Sequence, residues 1–330
     1  MVSLAEGDTT GRQSAHSRAK AVKRFSTSDT IFRNVTRGAA IIVLVVLAGV
    51  AVSLIAGAWL AFETFGLGFL TTSTWNPVTE KFGALAPIYG TVVTSLIAMI
   101  IAVPVGLGIA IFLTESCPRP LRRPIGIAVE LLAGIPSIIY GIWGLFVFAP
   151  FLQHTLQPFL IDTFHYVPGL SSLFAGPPYG IGVLTSGLIL AIMVLPFISS
   201  IARDVFTTVP PVLKESAYGL GMTTWEVTRK IVLPYTRVAV LGGVMLALGR
   251  ALGETMAVTF VIGNAHRITP SLLAPGTTIS ASIANEFTEA TGDLYTSSLF
   301  ALGLVLFVIT FIVLAIARVM LAQMKRRAGE

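Results

Sequence analysis

Two charged residues stand inside an otherwise apolar stretch. Arg250 and Glu254 lie in the sequence Gly249-Arg-Ala-Leu-Gly-Glu-Thr-Met-Ala-Val258, within a hydrophobic run over 236–262. In a helix, a four-residue spacing places two side chains one turn apart on the same face, so the two can pair. A guanidinium offers forked donors that match the oxygens of a tetrahedral oxyanion, and a carboxylate beside it can hold it in position. The pattern predicts an oxyanion-binding pair or, alternatively, an ion pair that only joins two helices.

The position of Arg250 in the middle of that run favours a functional role. A central arginine in a membrane helix costs roughly 2.5–3.5 kcal/mol, so it is expected to face a cavity or a partner. Gly242, Gly249 and Gly253 form a neighbouring stripe that lets another helix approach closely. Glu130, in another apolar run, is either a second buried carboxylate or an interfacial residue, and we favour the second interpretation.

Long apolar runs dominate the chain. Of the 330 residues, 54% are hydrophobic and 12% are charged, about half the charged fraction of a typical globular protein. We predict an all-α, polytopic integral membrane protein, because each run is long enough for the roughly 20 residues that a bilayer core requires. The predicted transmembrane helices are six: 39–61, 86–113, 125–151, 179–201, 236–262 and 294–318.

The basic residues indicate the orientation of these helices. Lys and Arg are concentrated before the first run, in 114–124, in 202–235 and in the C-terminal tail, whereas the alternate loops contain only Lys81 and Arg267. By the positive-inside rule, both termini and the 202–235 loop are predicted to be cytoplasmic. The net charge of +6 therefore reflects topology and does not indicate nucleic-acid binding. We expect a basic, disordered tail over 1–37 that either lies on membrane lipid or is solvated, a permease domain over 38–320, and a basic tail over 321–330.

A polar segment over 207–234 separates the fourth and fifth runs. It has the form E-x-A, a glycine six residues after the glutamate, and a terminal I-x-L-P; these residues are Glu215, Ala217, Gly221, Ile231, Leu233 and Pro234. Gly221 can end one helix in the left-handed region, and Thr223 with Glu226 has the form of a capping box that starts another. Pro234 fits where one helix stops and the next begins. Two short helices would form a compact knob for a partner; an ordinary charged loop explains the charges but not the spacing.

Several classes of chemistry have no sequence support. The chain has no G-x-x-x-x-G-K-[ST] motif, so it cannot hold ATP in a P-loop of its own. Its four histidines are scattered, and no grouping typical of a hydrolase or a metal site is found. We therefore expect a non-catalytic protein without a cofactor or metal.

The polar segment resembles the EAA loop of ABC-importer permeases, where a helix–turn–helix docks onto the ATPase. The segments 82–115, 133–150 and 249–264 look like the PstC-type permease of the phosphate-specific ABC transporter, and the similarity runs from about residue 35 to 320. The resemblance implies a type I ABC-importer permease fold in the bacterial cytoplasmic membrane. It also implies a PstA-type sister permease, two copies of a PstB-type ATPase that binds ATP, and an extracytoplasmic phosphate-binding protein. In that family an Arg and a Glu on this helix are linked to phosphate transport, and they map onto Arg250 and Glu254.

The predicted function is therefore ATP-driven phosphate import by alternating access. The alternatives are an ABC permease for sulfate or molybdate, a secondary anion transporter that uses the charged pair as a proton relay, and a non-transporting assembly or sensor subunit. Pro104, Pro136 and Pro196 are expected to bend helices, either as hinges or as fixed bends, and we favour fixed bends. The outer segment 277–287 has the apolar spacing of a short surface helix that would help to receive the binding protein.

Overall fold

The structure is a computed structural model that describes residues 6–328, with side chains described for residues 29–324 and 326. Within this range it contains helices and no strand, apart from an isolated antiparallel bridge between Asn76 and Lys81. The α-helices are α1 (Glu6–Phe65), α2 (Gly68–Thr71), α3 (Leu85–Ile111), α4 (Arg119–Ala133), α5 (Ser137–Trp143), α6 (Ala149–Phe151), α7 (Gln157–Phe164), α8 (Leu170–Leu173), α9 (Val183–Thr207), α10 (Pro211–Gly219), α11 (Thr224–Val227), α12 (Leu233–Leu252), α13 (Met256–Thr259), α14 (Ile279–Glu286) and α15 (Asp293–Ala328). Short π-helical turns lie at Phe112–Ser116, Gly144–Phe148, Leu152–Leu156 and Thr228–Val232.

The prediction of an all-α protein with six membrane helices is confirmed for the described residues. Six helical segments are long and apolar enough to cross a membrane: Asp29–Phe65, Leu85–Ser116, Ser137–Phe164, Val183–Thr207, Thr224–Leu252 and Asp293–Met324. The chain divides into two compact units, 1–54 and 55–330. From Glu6 onward the first unit is helix α1, whose described side chains are almost all exposed. The second unit contains the packed helices.

The described N-terminal residues lead directly into the first membrane helix, and the expected disorder of the 1–37 tail stays a prediction. Helix α1 begins at Glu6 and continues without interruption into the first apolar run. Once an apolar helix is formed, each added residue extends it without a new nucleation cost, which favours this continuation. Residues 1–5 of the predicted tail, and residues 329–330 of the C-terminal one, lie outside the described residues.

The predicted third transmembrane helix, 125–151, was placed wrongly. Helix α4 ends at Ala133, and α5 begins at Ser137 after Pro136, whose backbone is extended (φ −56°, ψ 137°). A residue before a proline disfavours the helical region, so the Gly134–Pro136 segment interrupts the helix. The membrane helix is Ser137–Phe164 instead. The prediction had counted the apolar half of α4 as part of it.

The fifth transmembrane helix was predicted over 236–262, and both of its ends were placed wrongly. At its start, the helix runs from Thr224 through the π-turn Thr228–Val232 into α12 without a stop. Pro234 is the second residue of α12 and does not interrupt the helix. Proline lacks the N–H of a helical hydrogen bond, but the π-turn before it changes the hydrogen-bond pattern at this point, so the missing N–H is tolerated. At its end, α12 stops at Leu252, ten residues before the predicted end.

The core is centred on α3 and α9, which approach each other through glycines. A Cβ on Gly187 of α9 would lie 2.6 Å from the Ile97 side chain, and a Cβ on Gly106 of α3 would lie 2.9 Å from Ile198. Gly141 and Gly144 are packed as tightly, whereas Gly108 faces open space. Three of the four glycines near the prolines therefore serve close packing, which supports fixed bends over hinges.

Candidate substrate path and coupling surface

A break between α12 and α13 holds the two charged residues of the apolar stretch. Helix α12 ends at Leu252 with Gly253 as its C-cap, and α13 begins at Met256. Glu254 lies in the break, where its Oε1 accepts a hydrogen bond from the backbone N of Ala257 at 3.4 Å. Its backbone O accepts a second one from Ser280 Oγ at 2.7 Å. Glu254 therefore helps to fix the path of the backbone between the two helices.

Arg250 lies in the last turn of α12 with an exposed side chain. Within the part of the chain that the structure describes, its guanidinium has no ion pair within 4.0 Å and no hydrogen bond. The predicted pairing with Glu254 is thus not formed, because the four-residue rule applies only while the helix continues. A positive charge in the last turn does complement the partial negative charge of the helix C-terminus.

The break itself is partly exposed, but the residues that follow it are buried in the protein. Ala257 and Val258 of α13, and Val261 and Ile262 after it, are at most 1% exposed. They pack with residues of α5 and α9, and a Cβ on Gly141 would lie 2.9 Å from the backbone O of Met256. Irregular backbone within a membrane protein is tolerated where protein surrounds it or where it lines a cavity. This packing holds Arg250 and Glu254 at a fixed place in the fold.

Helix α14 begins against this break. The predicted helix over 277–287 is confirmed as α14, but its surface position is wrong, because Ile279, Ser280, Ala281 and Ser282 are buried. The backbone N of Ile279 donates to Thr91 Oγ1 of α3 at 2.9 Å. The first turn of α14 therefore joins the break to α3, a contact that the sequence spacing did not reveal. The run of Ser and Thr within an apolar setting was the available signal.

Two connections between membrane helices are tied to α15 by a polar cluster around Glu286. Its Oε2 accepts hydrogen bonds from Trp75 Nε1 at 2.5 Å and from Tyr295 OH at 2.7 Å. His266 stacks on Trp75 with ring centroids 5.1 Å apart, and its Nε2 lies 3.1 Å from Ser282 Oγ. Burial raises the pKa of Glu286 and lowers the pKa of His266 to about 4. These contacts indicate a structural role for the cluster, and among the described residues no group of His, Cys, Asp and Glu could hold a metal ion.

The 207–234 segment contains the predicted turn between two helices, but only α10 is short, because the helix that begins at Thr224 continues into α12. Gly221 adopts a φ of +81°, and after α10 the backbone N of Met222 donates to the Ala217 carbonyl at 3.2 Å. The capping box is present: Glu226 N donates to Thr223 Oγ1 at 3.3 Å, and Thr223 N donates to Glu226 Oε2 at 3.0 Å. Ala217 is 3% exposed and packs in a small core with Val227 and Val232, against which Ile231 and Leu233 lie partly buried. The small residue of the E-x-A pattern thus allows α10 to pack closely.

The outer surface of this segment is available to a partner. Glu215 is exposed, and Val212, Leu220 and Trp225 are 69%, 81% and 62% exposed. Three large apolar side chains are thus exposed within one short polar segment, which is typical of a docking site. Pro234 is exposed beside it.

Lys214 connects α10 to the end of the second membrane helix, a link that sequence reasoning missed. Its Nζ lies 2.6 Å from Oε1 of Glu115, whose side chain is only 5% exposed. The two residues are 99 positions apart, and neither belongs to a motif. Glu130, by contrast, is an exposed residue of α4 that pairs with Arg203 at the end of α9, as the interfacial interpretation predicts.

Comparison with known proteins agrees with this architecture. Residues 102–326 match the model of the family described as "Binding-protein-dependent transport system inner membrane component". The chain is 74% identical over 313 residues to the phosphate transport system permease protein PstC of Mesorhizobium japonicum, covering 95% of this chain and 96% of that protein. It is 58% identical over 302 residues to PstC of Pasteurella multocida, covering 92% and 94%.

Solved structures show the same fold at low sequence identity. An inward-facing structure of the MetNI methionine ABC transporter aligns with a TM-score of 0.50 at 15% identity, covering 73% of this chain and 94% of that one. A bacterial ABC transporter involved in the import of the acidic polysaccharide alginate gives a TM-score of 0.50 at 17% identity, covering 80% and 88%. Together with the family match and the near full-length relatives, this fold shows that the chain belongs to the binding-protein-dependent transport system inner membrane components, in the branch of the PstC permease proteins.

Proposed function

We propose that this chain is the permease subunit of an ATP-driven importer that moves inorganic phosphate across the bacterial cytoplasmic membrane by alternating access. Relatives that align with nearly the whole chain are named for phosphate transport, which supports the substrate. The observation that carries the proposal is Arg250, an exposed guanidinium with no partner in the described part of the chain, at the end of an apolar membrane helix.

The chemistry of phosphate fits the residues at the break. In a low-dielectric cavity, the forked donors of Arg250 can bind two phosphate oxygens, and their strength increases as water is excluded. Only Oε1 of Glu254 has a hydrogen bond among the described residues, so Oε2 is available to accept one. A protonated phosphate oxygen can donate that bond, whereas sulfate has no proton to donate. Arg250 therefore supplies affinity, and Glu254 favours phosphate over sulfate.

The 207–234 segment is the proposed contact to the ATPase. We assign the docking surface to the exposed residues Glu215, Val212, Leu220 and Trp225. Movement of this knob reaches the membrane helices by two routes: the unbroken helix from Thr224 to Leu252, which ends beside Arg250, and the Lys214–Glu115 ion pair. The remaining motif residues lie behind or beside this surface and position it: Ala217, Gly221, Ile231, Leu233 and Pro234.

An external energy source is required for this transport. With the cell interior negative, moving one charge inward against the potential costs about 2.3 kcal/mol per 100 mV, so a phosphate dianion costs about twice that. We assign ATP binding and hydrolysis to two copies of a PstB-type ATPase. A PstA-type sister permease completes the path, and an extracytoplasmic phosphate-binding protein delivers the substrate. Both termini and the docking surface lie in the cytoplasm by the distribution of Lys and Arg.

Labelled-phosphate uptake tests the proposal in cells that lack their own high-affinity phosphate permease and express this chain with its partner subunits. Arg250→Ala should abolish uptake while the level of assembled complex stays normal. Arg267→Ala, which removes an exposed arginine from an outer connection, is the matched control and should leave uptake unchanged. Excess unlabelled phosphate should compete, and excess sulfate should not.

Two outcomes would overturn parts of the proposal. Competition by sulfate would retain the ABC permease but reject phosphate as its substrate. Normal uptake by Arg250→Ala would reduce Arg250 to a structural residue.

A further inference from the structure

Helix α4 has a cationic face and an apolar face, and it belongs to none of the candidate membrane helices. At helical spacing, Arg119, Arg123 and Glu130 lie along one side. Leu121 and Leu131 lie along the other and are 50% and 68% exposed. A helix that is strongly amphipathic and basic on its polar side is typical of the membrane–water interface.

The polar side of α4 is the one that packs on the protein. Gly126 on this side is buried, and a Cβ there would lie 2.8 Å from Nη1 of Arg203, near the end of α9. Nη2 of Arg203 donates to Glu130 Oε1 and fastens α4 to α9. The apolar side is consequently directed away from the described part of the chain, where acyl chains of a membrane can cover it.

A cavity of about 1010 Å³ lies between α4, the end of α9 and the coupling helix α10. Of its cationic lining residues, Arg203 and Lys214 already pair with carboxylates. Nη2 of Arg122 donates to the Thr114 carbonyl at 2.9 Å. Arg119 and Arg123 have no hydrogen bond or ion pair among the described residues, although both line the cavity. Two exposed arginine forks therefore face this space with their donors unused.

We propose that this cavity binds the phosphate headgroup of an anionic phospholipid, with Arg119 and Arg123 as its ligands. The guanidinium fork matches phosphate oxygens, and basic pockets between membrane helices on the cytoplasmic side are suited to acidic headgroups. The apolar side of the same helix gives acyl chains a surface to cover, which free phosphate would leave exposed. The lipid would lie directly beside α10, so membrane composition would act on the coupling helix. The inference requires membrane insertion with α10 on the cytoplasmic side, and it does not depend on which anion is transported.

Native mass spectrometry of the purified full transporter complex, titrated with phosphatidylglycerol or phosphatidylcholine, tests this site. We expect preferential binding of phosphatidylglycerol, weakened about thirtyfold in the double variant Arg119→Gln/Arg123→Gln and about fivefold in Arg123→Gln alone. Arg119→Lys/Arg123→Lys should retain most of the binding. Lys81→Gln/Arg267→Gln removes the same charge from outer connections and should leave binding unchanged.

Three results would overturn the proposal. The first is equal phosphatidylglycerol binding by the wild type and the double glutamine variant, or by the wild type and Arg123→Gln if the double variant does not assemble. The second is arginine-dependent binding of inorganic phosphate without a preference for phosphatidylglycerol, which would identify a site for free anions. The third is loss of the ATPase subunit from the glutamine variants with lipid binding unchanged, which would assign this surface to ATPase docking. Failure of the proposed phosphate site would appear in the uptake of Arg250→Ala, whereas failure of the lipid site would appear in lipid binding. The two failures are therefore distinguishable.

Discussion

The ion pair between Lys214 and Glu115 gives the sharpest test of how the coupling segment is held to the membrane helices. The carboxylate of Glu115 is 5% exposed, whereas the Lys214 side chain is 21% exposed. Removal of Lys214 would leave a nearly buried carboxylate without its partner. Breaking a fully buried pair in this way costs about 3–5 kcal/mol. Because Lys214 is partly exposed, we expect Lys214→Met to destabilise the protein by about 2 kcal/mol.

Removal of the carboxylate of Glu115, with Lys214 kept, should lower the free energy of unfolding by less. In Glu115→Gln, the ammonium of Lys214 can turn toward water, so we expect a loss of about 1 kcal/mol. The double variant Glu115→Gln/Lys214→Met should lose about 2 kcal/mol rather than the additive value of about 3, a coupling free energy of about 1 kcal/mol. Lys230→Met is the control, because its pair with Glu226 at 3.3 Å is much more exposed, at 56% and 41%. We expect it to have little effect on stability, because solvent screens an exposed helix pair of this kind.

Two assays check these values. Thermal unfolding of the purified complex measures the stability differences, and the ratio of phosphate imported to ATP hydrolysed measures coupling. Lys214→Met should lower this ratio, because α10 loses its attachment to the second membrane helix, while Lys230→Met should not. Equal effects of Lys214→Met and Lys230→Met in both assays would refute the reasoning that burial makes the first pair a mechanical link.

Two further predictions concern packing and pH. Gly90→Ala should destabilise the protein by about 1–3 kcal/mol or more, because its Cβ would lie 1.8 Å from the Thr277 carbonyl oxygen; Gly108→Ala in the same helix meets open space and should be neutral or stabilising in thermal unfolding. His266 has a pKa lowered to about 4 by burial, so the unfolded chain takes up its proton first as pH falls below about 6.5. Stability should therefore fall between about pH 6.5 and 4, by up to about 3 kcal/mol, and His266→Asn should flatten that fall; an unchanged profile would contradict a buried neutral imidazole. Glu286, whose raised pKa acts with the opposite sign, requires its own variant, Glu286→Gln.

The features that the sequence predicts correctly depend on local signals. Runs of about twenty apolar residues indicate membrane helices, whatever the way in which the helices pack. Gly221 and the Thr223–Glu226 capping box define a turn within a few residues, and both have the predicted geometry. Each of these signals involves residues that are neighbours in the chain, so no knowledge of packing is needed.

The features that the sequence misses depend on contacts between distant segments. Ser280 lies 26 positions from Glu254, and Lys214 lies 99 positions from Glu115. The spacing of apolar and polar residues along the sequence does not predict contacts between such distant positions. The displaced helix boundaries have a related cause, because hydropathy counts apolar residues on both sides of an interruption at Gly134–Pro136 or Gly253–Thr255. The first interruption places a third of a predicted membrane helix in α4, and the second separates the charged pair.

The separation of Arg250 from Glu254 has a consequence for the proposed transport. In an unbroken helix the carboxylate would pair with the guanidinium and occupy the donors that an oxyanion needs. Because α12 ends at Leu252, the positive charge of Arg250 is instead complemented by the helix C-terminus, whose dipole occupies none of its N–H groups. Glu254 meanwhile accepts from Ala257 N and helps to define the break. A discontinuous membrane helix thus allows two opposite charges to lie close in sequence without pairing, as the phosphate site that we propose requires.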